Sequence, residues 1–348
     1  MDISIISKEE NMNVNPWGKV LFGSEQVMAR SYQKWSAQPV DQEFSHSSEP
    51  EPAKQTSIAA AKSIAGPGTF FGKARRTLTF LPATKPGWRF DRSDLPESMP
   101  IPVSINNIWT TARNIVLSSG SPHNYMRMVE HIIALKVGLR IDNAVVRMDS
   151  GDPPLFDRSS LDLVETAQAA GIQETDMDSH YVTVRQPVSV VGPRGSFLSF
   201  LPAEKGSSVL YIDCAIDFRS AIGKQRIRFP VCPKHFKYGS FARTNAPLLT
   251  MLYCKTIGKI FADIRNLGYT TKNILIAGPN RYLNTPRLYH GNKSLEAAWH
   301  RAVLDLLAAI ALIDKGRLAG TVISYKAGHT LDVNMIKELY RQDLLVSL

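Results

Sequence analysis

The chain has 348 residues, 44% hydrophobic and 21% charged, a balance that supports one large or two medium globular domains and argues against a disordered or fibrous chain. No apolar run reaches the roughly 18–20 residues needed to span a bilayer, so no integral membrane association is expected. The formal charge of +10 is unevenly placed, because residues 1–54 hold five Lys/Arg against eight Asp/Glu and leave 36 against 23 for residues 55–348, a basic body suited to nucleic acid, acidic headgroups or phosphorylated substrates.

Residues 1–54 read as an N-terminal extension, since "AQPVDQEFSHSSEPEPAKQTS" is polar, acidic and proline-bearing, as linkers are. Its start, "MDISIISKEENMNV", lacks the basic residues, long apolar stretch and cleavage site of a secretory leader, so a cytoplasmic or organellar matrix location is expected rather than secretion. Cys214, Cys232 and Cys254 have no CxxC spacing, which suggests a reducing compartment and neither a disulfide framework nor a thiolate metal site. Trp17, Phe22, Tyr32 and Trp35 predict an arm docked on a neighbouring surface, because a free tail has little use for four large aromatics.

From residue 73 the alternation in "KARRTLTFLPA" predicts a strand, which the turn "TKPGW" joins to a second strand, "RFDRS", as a hairpin. The spacing in "NYMRMVEHIIALKVGL" predicts a helix ending near Gly138, "IDNAVVRMDS" a strand, and "LDLVETAQAAGI" a helix closed by its glycine. The strand-like runs "YVTVRQPVSVVG", "SFLSFLPA" and "SSVLYIDCAIDF" follow, which divides the body into domains over 55–178 and 179–348. Further on, "PLLTMLYCKTIGKIFADIRNLG" reads as a helix, "NILIAG" as a buried strand, 294–314 as a helix, "AGTVISYKAG" as a strand and "VNMIKELYRQDLL" as a final helix. Strands and helices mix without a regular βαβ alternation, which favours α+β layers. The basic-aromatic stretch "FRSAIGKQRIRFPVCPKHFKYGSFAR" has the composition to contact RNA, but an amphipathic strand and loop with aromatics facing the core accounts for it better.

Several segments resemble, in order and spacing, the zinc-dependent UDP-3-O-acyl-N-acetylglucosamine deacetylases of lipid A synthesis. They are "GKARRTLTFLPATKPGWRFDRSDL", "MVEHIIALKVGLRIDNAVVRM", "DPPLFDRSS", "LYIDCAIDF", "FARTNAP" and "TVISYKAGHTLDVNMIKEL", and together they span residues 55–348. The resemblance implies two α+β sandwich domains with the active site between them. It also implies zinc held by a histidine after the glutamate of a T-V-E-H-like run and by a histidine and an aspartate of an H-K-x-x-D-x-x-G-D-like run on one helix. Glutamate then serves as base, a threonine of an A-R-T-F-G-like run holds the oxyanion, and the histidine of a Y-K-x-G-H-like run acts as acid.

On that pattern Glu130 and His131 match the base and the first zinc ligand, His329 the late histidine, and Thr244 the oxyanion threonine, although Asn245 and Ala246 replace its Phe-Gly. The stretch "AAWHRAVLDLLAAIALIDKG" departs from the pattern. Aligned without gaps it keeps Asp305 but sets Arg301 at the second zinc histidine, Ala302 at the lysine and Ala309 at the final aspartate; Phe70 likewise stands where a histidine is usual. A straight helix turns about 100° per residue, so His300 and Asp305 point different ways unless a π-bulge lies between them, whereas Arg301 and Asp305 share a face. The expectation is that Arg301 fills the vacated metal position and compensates Asp305 and Glu130, leaving a family member with no cofactor and no hydrolytic activity. Such a chain would serve as a binding or structural subunit of a larger protein assembly, with RNA, a UDP-sugar or an acyl chain as further candidates. The alternative is an active, divergent zinc deacetylase in which His300 is the ligand.

Overall fold

The structure is a computed structural model that describes residues 15–45, 50–70, 73–247 and 269–348. The helix expected over "PLLTMLYCKTIGKIFADIRNLG", and Cys254 within it, lie outside these residues apart from Pro247, which ends the strand Thr244–Pro247.

Two mixed sheets and the helices between them make up the described body, an α+β arrangement as the sequence indicates. In the first sheet the strands run Lys62–Pro67, Arg75–Leu81, Ala144–Met148, Trp88–Arg92 and Ile101–Pro102. The expected hairpin is corrected here: Arg75–Leu81 and Trp88–Arg92 do not pair, because Ala144–Met148 enters between them, antiparallel to one and parallel to the other. Val146 and Met148 of that strand are fully buried, and a central position covers both of its edges.

The second sheet has the order Lys19–Phe22, Val188–Val191, Phe197–Leu201, Gly320–Tyr325, Leu210–Asp217, Lys224–Pro230 and Gln42–Glu43. Helix α1 is Glu25–Ser36, α2 Glu130–Gly138, α3 Leu161–Ala169 and α4 Pro233–Gly239. Helix α5 covers 296–310 in three parts and α6 is His329–Arg341. Helices α2, α5 and α6 share one continuous apolar core with both sheets, including Phe80, Phe90, Ile133, Phe200, Trp299, Leu306 and Ile336. Helix α2 starts later than its periodicity suggests, because Tyr125–Met126 is strand.

The extension docks as an arm through its described residues. Its two strands close both edges of the second sheet, Lys19–Phe22 beside Val188–Val191 and Gln42–Glu43 beside Lys224–Pro230. Exposed edges are templates for unwanted pairing, and these are covered. Helix α1 crosses the outer face and makes a second, smaller core from Met28 and Trp35 with Phe197, Ile323 and Tyr325. Arg226 anchors it: the guanidinium lies 4.1 Å over the Trp35 ring, donates to the carbonyls of Trp35 and Gln38, and forms a two-pronged pair with Asp213 at 2.8 Å. The basic-aromatic stretch is therefore partly internal, with Phe229 and Phe236 in the main core and Arg226 beneath the arm, whereas Phe218 and Tyr238 are exposed. Met28→Ala is expected to lower the unfolding free energy by about 2 kcal/mol, read by denaturant titration; an unchanged midpoint would mean that the arm adds nothing to stability.

Candidate metal centre

Helix α2 opens directly on two of the residues singled out in the sequence. Glu130 is 3% exposed, and its Oε2 accepts the Ile115 N–H at 3.0 Å. Burial pushes its carboxyl above the usual range. His131 Nδ1 lies 3.3 Å from the Ser160 hydroxyl, which leaves Nε2 free, and burial together with His300 lowers its pKa to about 3, so the imidazole is neutral.

The decisive feature is in α5. Glu296–His300 is α-helical, Arg301–Leu306 is π-helical, and Leu307–Ile310 returns to α. A π turn closes on i and i+5, so it absorbs the one residue by which His300 and Asp305 exceed the four-residue spacing of the zinc motif. His300 Nδ1 consequently lies 3.7 Å from Asp305 Oδ1, and the His131 and His300 rings are 5.5 Å apart between centroids. The expectation that residues 300 and 305 diverge is corrected, because it assumed a uniform α-helix. Thr244 Oγ1 lies 2.9 Å from His300 Nε2, so the hydroxyl expected to hold an oxyanion is engaged with the imidazole. Each imidazole thus has one nitrogen oriented by a hydroxyl and the other facing the site, an arrangement that fixes ring tautomers around metals.

Asp305 Oδ1 is buried and has no hydrogen-bond partner among the described residues. Burial works against its charge, but His329, His300 and Arg301 outweigh that and hold its pKa below the usual carboxylate value. His329 Nε2 is 3.6 Å from Asp305 Oδ1 and 3.9 Å from Glu130 Oε1. These carboxylates raise the His329 pKa although burial opposes them.

The predicted Arg301–Asp305 pair is also corrected. Arg301 instead reaches Asp332 on α6 at 2.5 Å, and donates to Ser324 Oγ at 3.2 Å and to the Ala327 carbonyl at 3.0 Å. These three acceptors give it a more complete set than Asp305 could offer alone. Desolvation opposes its charge, but Asp332 and then Asp305 hold the guanidinium protonated. Read with His300 as the histidine of the motif, Arg301 falls at the position of the lysine that follows it. Ala309 is buried and apolar, and besides Asp305 and Glu130 a third acid, Asp332, acts on His329; the sequence reading missed it, and its only signal was its place three residues after His329, on the same helix face. Phe70 packs under the Arg127 guanidinium at 4.0 Å.

Among the described residues no group of three or more His, Cys, Asp or Glu side chains stands in a geometry that could hold a metal ion. The donor set of His131, His300 and Asp305 nevertheless fits zinc in kind: two neutral imidazoles, one ionised carboxylate and a buried oxygen without a partner. Two ligands of one tetrahedral zinc lie about 3.3 Å apart, close to the 3.7 Å between His300 and Asp305. An adjoining groove of about 960 Å³ is lined by His300, Arg301 and Asp305 and by the cations Arg194, Arg219 and Lys326, with Asp217 as the further acid.

Two imidazoles, a carboxylate and a neighbouring glutamate thus lie together where α2, α5 and α6 meet between the two sheets. A sequence model of UDP-3-O-acyl N-acetylglycosamine deacetylase matches residues 55–341, and the chain belongs to that family. It is similar to the UDP-3-O-acyl-N-acetylglucosamine deacetylase of Hahella chejuensis, 27% identical over 76% of this chain and 83% of that protein. The enzyme of the same name from Trichormus variabilis is 26% identical over 82% of this chain and 98% of its own length, and that of Syntrophus aciditrophicus 28% over 72% and 75%. Among the described residues no helix is long and apolar enough to cross a membrane.

Proposed function

We propose that this chain is an active, zinc-dependent deacetylase that hydrolyses the acetamide of a UDP-linked, acylated amino sugar, the substrate named for its relatives. The observation that carries the reading is the π turn at 301–306, which puts His300 with Asp305 and takes Arg301 away to Asp332. His131, His300 and Asp305 would hold the metal, and zinc when bound supplies Lewis acidity to the amide carbonyl and lowers the pKa of a water.

Glu130 Oε1, the oxygen not used by Ile115 N–H, is the base that takes the proton from the attacking water. As the amide C–N bond breaks, His329 Nε2 donates a proton to the departing amine, and the acetyl group leaves as acetate. The carboxylates of Asp305 and Glu130 raise the pKa of that imidazole against its burial, which favours the charged form. Arg194, Arg219 and Lys326 give the groove a positive lining that suits the diphosphate of a nucleotide sugar.

Metal content tests the reading. Protein purified without chelator is expected to carry about one zinc per chain, and His131→Ala and His300→Ala each to lose it. A metal-free chain that cannot be loaded with zinc would instead support the silent relative, retained for binding or assembly.

A further inference from the structure

At the end of α2 remote from Glu130 and His131 lies a second cavity of about 380 Å³, between the Trp88–Arg92 strand, α2 and the short strand Arg317–Leu318. It shares no lining residue with the groove beside His300. Its size is at the lower end of ligand pockets, and its wall is largely hydrocarbon, from Trp88, Val103, Val137, Leu210, Ile313 and Leu318.

Lys136 gives the cavity its chemistry. The ammonium donates to the Ala311 and Ile313 carbonyls at 2.7 and 2.8 Å, which leaves one N–H without a protein acceptor among the described residues. Two of the acids that line the cavity are neutralised by arginines, and the third, Asp314, is held by uncharged donors. Glu51 pairs with Arg140 at 2.5 Å, Asp142 with Arg317 at 2.6 Å, and Asp314 accepts from Ser104 and Tyr340, both at 2.6 Å. Among the described residues no carboxylate lies within ion-pairing distance of Lys136; burial holds its amine down at about 8, and Asp314 and Asp142 oppose this only from longer range. The cations of the lining, Lys136, Arg140, Lys315 and Arg317, exceed its acids, Glu51, Asp142 and Asp314, by one, which leaves one positive charge to be matched against an apolar wall.

We propose that this cavity is a second ligand site, which takes a small carboxylate with a hydrocarbon body and uses Lys136 as the counter-ion of its headgroup. Octanoate is a suitable probe, with 1-octanol as its uncharged match, both titrated calorimetrically into the full chain. Octanoate is expected to bind saturably and 1-octanol at least tenfold more weakly. Lys136→Met is expected to weaken octanoate at least tenfold. Because that change also removes two hydrogen bonds to the end of α5, Val137→Trp serves as the second variant; it fills the cavity with Lys136 intact and is expected to abolish binding. His300→Ala is expected to leave octanoate affinity unchanged. Equal binding of the alcohol, binding that survives both cavity variants, binding lost with His300→Ala, or no saturable binding would each overturn the assignment.

Discussion

Glu130→Gln is expected to lower turnover by roughly 10²- to 10⁴-fold, the contribution of a positioned general base, while zinc stays bound. The substitution keeps size and shape, and the amide oxygen still accepts the Ile115 N–H that now meets Oε2. It removes only the ability to take a proton at the oxygen facing His329. Because Glu130 is buried and its carboxyl is raised by desolvation, removing the charge leaves stability equal or higher, so a fall in rate cannot be ascribed to unfolding. The measurement is turnover of a UDP-linked acyl acetamido sugar, with zinc content and melting temperature determined on the same preparation. Wild-type turnover in the variant would remove Glu130 from the chemistry; no turnover in either protein, with zinc bound, would point to a different substrate.

Much of this site can be read from one sequence, and the part that cannot has a definite physical cause. Glu130, His131 and His329 stand in short motifs whose spacing is set locally, and the structure gathers them at the start of α2 and the start of α6. His300 is legible only if the helix geometry is known. A histidine and an aspartate five apart diverge on an α-helix and converge across a π turn, and no residue of "AAWHRAVLDL" announces the change. Every buried position of that segment is equally compatible with either winding, so tertiary packing decides it. Asp332 was missed for a related reason: its partner Arg301 is thirty-one residues away, and no local pattern links them. The same limit applies to the first sheet, where alternation marks Arg75–Leu81 and Trp88–Arg92 as strands but says nothing of the strand that separates them. The arm aromatics were legible in part: Trp35 is buried against Arg226 and Phe197, with Trp17 and Tyr32 half-buried beside it, whereas Phe22 is exposed.

The corrected role of Arg301 leads to the second large effect. Arg301 and Asp332 are 7% and 0% exposed at their side chains, and their pair ties α5 beside His300 to α6 beside His329. Asp332→Ala strands the guanidinium with the Ser324 hydroxyl and the Ala327 carbonyl as its remaining acceptors, and one of its nitrogens, Nη1, already has none. An uncompensated buried charge costs about 3–5 kcal/mol, so the single variant is expected to unfold at distinctly lower denaturant than the parent. The double variant Arg301→Met with Asp332→Leu removes both charges and retains volume, and is expected to recover most of the loss, because a buried ion pair and a well-packed apolar pair are often close in stability. That recovery separates a pair that locks two helices from a guanidinium that substitutes for a metal. If Arg301 instead neutralised Asp305 and Glu130, Asp332→Ala would cost less than about 1 kcal/mol and the double variant would be the less stable of the two, since two buried carboxylates would then lose their cation. The distance of 2.5 Å to Asp332, and the absence of an Arg301–Asp305 contact at ion-pair range among the described residues, favour the lock. With Arg301 so held, its charge reaches Asp305 only at longer range, which is the condition the proposed zinc site requires.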